Sequence, residues 1–144
     1  MSEFVDLVQE KCLKFSDRII NLNDYLLQEA VKNRFCDNQK DEKRNVLKFI
    51  QVYLQSVASL SNQLLRSGTS IAANNAEALN AISKADYKNK SFIALKEARE
   101  SLYWLNLLHR NSYLSDKLFE SLYFDCEELV KILVARCKKL GQEE

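Results

Sequence analysis

The residues that could do chemistry are few. His109 is the chain's only histidine, and a general base, a triad member or a metal ligand would have to be built around it. No Ser or Cys nucleophile stands with a visible base and orienting partner. His109 ends an apolar repeat and reads as a structural residue. The four cysteines, Cys12, Cys36, Cys126 and Cys137, show no metal-ligand spacing. Three of them fall on apolar heptad positions, where a reduced thiol serves as a small hydrophobe; Cys12 and Cys137 come near one end of the expected fold. Carboxylates gather at Glu97 with Glu100 and at Asp125 with Glu127 and Glu128, without the Glu-x-x-His spacing of di-iron bundles. Gly68 belongs to no phosphate loop. The expectation is no catalytic site, no metal and no cofactor, so not an enzyme.

A different kind of pattern runs from Gln63 to Ala78, QLLRSGTSIAANNAEA. Gln63, Arg66, Ser70, Asn74 and Glu77 recur at steps of three and four, which is one polar stripe on a helix. Gly68, Thr69, Ala72, Ala73 and Ala76 fill the space between them, and small side chains let helix backbones approach closely. Gly68 costs roughly 1 kcal/mol against Ala in a helix interior, so close packing must offset it. The heptad spacing continues through Gly68 without a slip, which favours one continuous helix over a break capped by Thr69 or Ser70.

The elements that carry this stripe are long helices. The chain has 144 residues, no Pro and two Gly, which leaves little punctuation for turns or strands. Val5, Val8, Cys12, Phe15, Ile19, Leu22 and Leu26 alternate three and four apart and predict a first helix over about Glu3 to Lys32. Asn33 to Asp41 reads as a loop, with Phe35 and Cys36 placed to tuck onto the bundle end. A second helix follows over about Glu42 to Asn80, roughly 55 Å long, on a seam of Val46, Ile50, Tyr53, Val57, Leu60, Leu64, Ser67, Ile71, Asn74 and Ala78. After a short turn with Ser83 and Asp86 as a capping box, a third helix spans 84–110. Its seam is Leu95, Ala98, Leu102, Leu105 and His109. Ser115 caps a fourth helix over 115–140, on Leu118, Leu122, Cys126, Leu129, Leu133, Cys137 and Leu140, and Gly141 stops it. Four amphipathic helices with short links make an all-α, antiparallel up-down-up-down four-helix bundle. Folding about residue 83 brings Arg66 opposite Glu97 and Glu100, where an ion pair is expected, and Glu77 beside Lys88 or Lys90.

Lys plus Arg is 21 and Asp plus Glu is 20, so the chain carries no general attraction for phosphate backbones or anionic lipid. No apolar run approaches the ~20 residues of a membrane span. The N-terminal MSEFVDLVQEK lacks a signal peptide's basic start and apolar block, so a cytoplasmic location is expected.

The 63–78 stretch also resembles the signature of the four-helix bundle proteins encoded by intervening sequences in bacterial large-subunit ribosomal RNA genes. The likeness resumes at Ser83-Lys84-Ala85-Asp86, continues from Ser91 through Ser101 to Leu105, and ends at Cys126-Glu127-Glu128-Leu129, about residues 60 to 135. Ala72 stands where many members have Pro, and Ala78 where many have Gly. The resemblance implies a homopentamer, with Gln63, Arg66, Ser70, Asn74, Glu77, Glu97, Glu100 and Ser101 as a polar seam or interface. Related proteins are accessory proteins of diversity-generating retroelements, which implies RNA or a reverse transcriptase as alternative partners. Lys40, Lys43, Arg44 and Lys48, and separately Lys84, Lys88 and Lys90, are the residues for that reading. The aromatic group Tyr103, Trp104 and Tyr113 would serve self-association.

Overall fold

The computed structural model describes residues 3–35 and 43–142, with side chains from Leu7 to Ala30 and from Gln51 onward, Val52 excepted. Among the described residues there are four helices and no strand: α1 (Glu3–Phe35), α2 (Lys43–Leu79), α3 (Lys84–Arg110) and α4 (Asp116–Gln142). Each helix packs closely on its two neighbours in a ring, α1–α2, α2–α3, α3–α4 and α4–α1, and among these residues the backbones of the diagonal pairs do not come close. The α2 seams are the most extensive and the α1–α4 seam the thinnest. This is the expected up-down-up-down bundle.

The α1 repeat does what its spacing requires: Val8, Cys12, Phe15, Ile19, Leu22 and Leu26 are all buried. Leu122, Cys126, Leu129, Leu133 and Cys137 do the same in α4. The helix continues through Gly68 without a break. At 37 residues against 27 in α3, and pinned to α3 by the 80–83 turn, α2 runs past the far end of its partner. Ser83 caps α3, its hydroxyl accepting from the Asp86 N–H at 3.1 Å. The Asp86 carboxylate reaches back to accept from Ile82 N–H at 3.3 Å, one residue earlier than a standard capping box. Ser115 caps α4, its hydroxyl accepting from Leu118 N–H at 3.4 Å. Between them, α3 ends in a Schellman turn: Tyr113 N–H donates to Leu108 C=O and Ser112 N–H to His109 C=O, with Ser112 at φ 60°, a position usually given to glycine.

Two boundaries differ from expectation. Helix α1 continues three residues past Lys32, and α4 does not stop at Gly141 but passes through it to Gln142. Gly141 has a negative φ and a Cβ there would meet nothing within 4 Å, so nothing local forces the chain out of the helix. Residues 36–42, the greater part of the expected loop with Cys36, lie outside the described residues, as does the Phe35 side chain.

Candidate functional site

The inner face of α2 is held by small residues and neutral hydrogen bonds. A Cβ on Gly68 would stand 3.0 and 3.1 Å from Cγ1 and Cγ2 of Ile19, so the missing side chain is what lets α1 approach. The Ser16 hydroxyl, shared with Cys12 C=O, donates across this contact to Gly68 C=O at 3.3 Å. On the other flank Ser101 of α3 bonds to Ser67 at 2.9 Å, and both hydroxyls are buried. Each also lies within reach of a carbonyl one turn back in its own helix, Leu64 and Glu97, so burying them leaves no orphan.

About two turns further along lies a polar chain that crosses the bundle. Asn75, 0% exposed, donates to Gln9 Oε1 at 2.6 Å and accepts from Arg136 Nη1 at 2.6 Å. Gln9 donates in turn to Ala72 C=O. The Arg136 guanidinium lies 5.9 Å from the centre of the Tyr87 ring, a cation over an aromatic face. Helices α1, α2 and α4 therefore meet at the Asn75 amide, and α3 joins them through Tyr87.

The seam expected at Leu60 and Asn74 is displaced by one residue. The fully buried positions are Ser61 and Asn75, whereas Leu60 and Asn74 are half-buried. A straight helix drifts ~20° per heptad against a strict seven-residue repeat, and a helix touching neighbours on both flanks buries a stripe wider than a heptad seam. Asn74 turns instead to its own helix, donating to Ser70 C=O and Oγ.

The remaining polar stripe lies outside. Gln63, Arg66 and Glu77 are exposed and Ser70 is half-buried. Glu77 pairs with Lys90, as the folding about residue 83 requires. The expected ion pair of Arg66 with Glu97 or Glu100 does not form: Arg66 points into solvent, Glu97 lies near Lys96 at 3.9 Å, and Glu100 accepts from Trp104 Nε1 at 3.1 Å. The cause is rotational. Ser67 faces Ser101, and the adjacent residue stands about 100° round the helix, which carries Arg66 away from α3. Tyr103 meets Trp104 edge-on at 4.9 Å, whereas Tyr113 is paired with Tyr53 at 6.3 Å, so the three aromatics do not form one belt. Of the lysines and arginines, Lys40 lies outside the described residues, Lys43 and Arg44 begin α2, Lys84 is exposed and Lys88 half-buried in the first turns of α3, and Lys90 is held by Glu77.

Candidate chemical groups are tied up structurally. His109 Nε2 sits 2.8 Å from Asp116 Oδ1, and its ring stacks on Phe119 at 4.0 Å. His109 and Asp116 border a cavity of about 530 Å³ that also takes in Tyr25, Tyr53, Tyr113 and Ser115. Ser115 already caps α4, and the imidazole hydrogen-bond contact found among the described residues is to a carboxylate rather than a hydroxyl. Cys12, Cys126 and Cys137 are free and buried. Burial pushes the Cys12 thiol up to about 11 and the Cys126 thiol up to about 12, which is opposite to what a nucleophilic thiolate needs. Among the described residues no three His, Cys, Asp or Glu side chains converge as a metal site. Nor is any helix there long and apolar enough to cross a membrane.

Gln9, Asn75, Arg136 and Tyr87 are the residues that sequence reasoning missed. Their signal was faint: two adjacent asparagines bracketed by alanines, with 3.6-residue rather than heptad counting needed to choose between them.

The model of the 23S rRNA-intervening sequence protein family matches residues 40–135. No curated protein matches the chain. Among solved structures, it is similar to a protein of unknown function from the S23 ribosomal protein family of Bacteroides thetaiotaomicron, with 38% sequence identity and a TM-score of 0.73, over 93% of this chain and 97% of that one.

Proposed function

Because the chain belongs to the 23S rRNA-intervening sequence protein family, we propose that it acts as a non-enzymatic, homo-oligomeric scaffold in the cytoplasm, a pentamer as the sequence resemblance implies. The observation that carries this reading is the amount of large apolar surface left outside a finished core. Leu13, Ile20, Phe92, Tyr103 and Phe124 are 44–67% exposed, although the four helices already bury one another's apolar faces. Single exposed hydrophobics need no explanation, but ordered rows of them mark association surfaces. What supports the non-enzymatic part of this reading is the raised thiols and the partners already held by His109 and Ser115.

Light scattering on the purified protein tests the assembly. The expected mass is five times the 16.7 kDa of one chain; a monomer across the accessible concentration range overturns the scaffold. A second reading, RNA binding, is favoured by the exposed Lys96, Arg99 and Arg110 alternating with Phe92 and Tyr103 along α3, since cations track phosphates while aromatic rings stack bases. Retention of single-stranded RNA on a filter, falling steeply as salt rises, would support it.

A further inference from the structure

Two outward rows of side chains are complementary in charge, and each carries apolar side chains between its charges. On α1, Glu10, Leu13, Asp17, Ile20 and Asp24 follow steps of three and four, and all five are exposed. This row contains three acids and two aliphatics, with no cation. On α3, Phe92, Lys96, Arg99, Tyr103, Asn106 and Arg110 follow the same steps, again all exposed. That row contains three cations and two aromatics, with no acid. Asp17, Asp24, Arg99 and Arg110 form no ion pair among the described residues. Glu10 has only Lys14, one turn away and equally in solvent, and Lys96 only Glu97 at 3.9 Å.

The bundle sets these rows back to back and at matching heights. Helices α1 and α3 are a diagonal pair whose backbones do not come close, so their outward faces lie on different sides of the bundle. Both run the same way along the bundle. Gly68 abuts Ile19 and the adjacent Ser67 bonds to Ser101, which places Ile19 and Ser101 at one level. Asp17 is two residues before Ile19 and Arg99 two before Ser101, so they share a height. Ile20 lies within one residue of Tyr103 by the same count. Asp24 is level with Asn106 and about one turn below Arg110, and Glu10 is level with Phe92 and about one turn below Lys96.

We propose that the α1 row of one copy docks against the α3 row of the next, head to tail, in the oligomer of the preceding reading, on which this inference rests. Such a contact uses two different patches, so each copy keeps one free edge until the assembly closes. Because matching groups already stand at equal heights, neighbours need no shift along the helix axis. A contact without rise keeps successive copies in one plane, where a turn about the bundle axis at each contact closes the ring, whereas a rise would wind a filament.

Charge reversal tests the pairing, followed by sedimentation velocity with circular dichroism as the check on folding. Asp17→Arg and Arg99→Asp are each expected to leave the helical signal intact and to weaken assembly about tenfold or more, as like charges are brought together. The double variant D17R/R99D should recover most of the lost assembly. A wild-type oligomer indifferent to both single reversals overturns the docking and leaves the scaffold standing; a monomeric wild type overturns both. If R99D abolishes RNA retention without altering assembly, the α3 row is a nucleic-acid face and the docking is wrong.

Discussion

The helix α1 is held on its two sides by different means. Toward α2 it meets a glycine, serines and a buried amide: Gly68 abuts Ile19, Ser16 bonds to the Gly68 carbonyl, and Gln9 bonds to Asn75. Toward α4 it is bridged across a thin seam by long charged side chains. Lys11 reaches Glu128 at 2.9 Å, and Arg18 reaches Asp125 and Ser121. Beside Arg18 the seam leaves a groove of about 370 Å³ lined by Leu22, Tyr25, Leu118 and Leu122. Small residues bring backbones together and leave no room for adjustment. Long ones span a gap and adapt to it. The first seam should therefore specify the register of the bundle, and the second should tolerate change.

Substitutions at Gly68, Asn75 and Arg18, with controls at Ile19 and Asn74, sharpen or break that contrast. The largest effect is expected at Gly68. A Gly68→Leu side chain has to displace Ile19, which is 1% exposed, and should cost ~3 kcal/mol or more in urea unfolding. Gly68→Ala gains about 1 kcal/mol of helix propensity, yet it should still fall below wild type, and Ile19→Val should restore part of the loss in a double-mutant cycle. If Gly68→Ala is more stable than wild type, the close approach is not what keeps glycine there.

Next comes Asn75→Ala, which strands both the Gln9 amide and the Arg136 guanidinium. Emptying a fully buried site and leaving two half-buried partners short of a bond costs ~2–4 kcal/mol, whereas Asn74→Ala, which loses only bonds to its own helix, should cost under ~1 kcal/mol. Equal losses at the two positions would mean that the heptad register, not the observed one, describes the seam. The smallest effect is expected on the other side of α1. Arg18 and Asp125 are each more than a third exposed, so Arg18→Ala should cost less than ~1 kcal/mol, and less again at high salt. A loss as large as that at Asn75 would remove the distinction between the seams.

The sequence reveals the bundle where apolar spacing is strict and blurs where side chains are small or polar. The α1 and α4 repeats could be read directly, because misplacing Phe15 or Leu129 would put a large apolar group into water. The caps at Ser83 and Ser115 could be read too, since few residues satisfy a helix start. Asn74 and Asn75 are chemically identical, so only the accumulated rotation of the helix tells which one is inside. Arg66 misled for the same reason: its long side chain could be imagined reaching α3, but the adjacent Ser67 occupies that direction. Glu77 with Lys90 succeeded because the short turn fixes which turns of α2 and α3 stand side by side. The outward rows of α1 and α3 became visible only once the heights of the helices were known.

The antiparallel order of the helices also brings the first residues of α1 and the last of α4 to the same end of the bundle, next to the 80–83 turn. A short Gly/Ser bridge between them would make the backbone circular, tethering the two helices that share the least contact. New termini could then be opened at the exposed Ile82–Ser83 tip, giving a circular permutant that starts with α3 and keeps every helix whole.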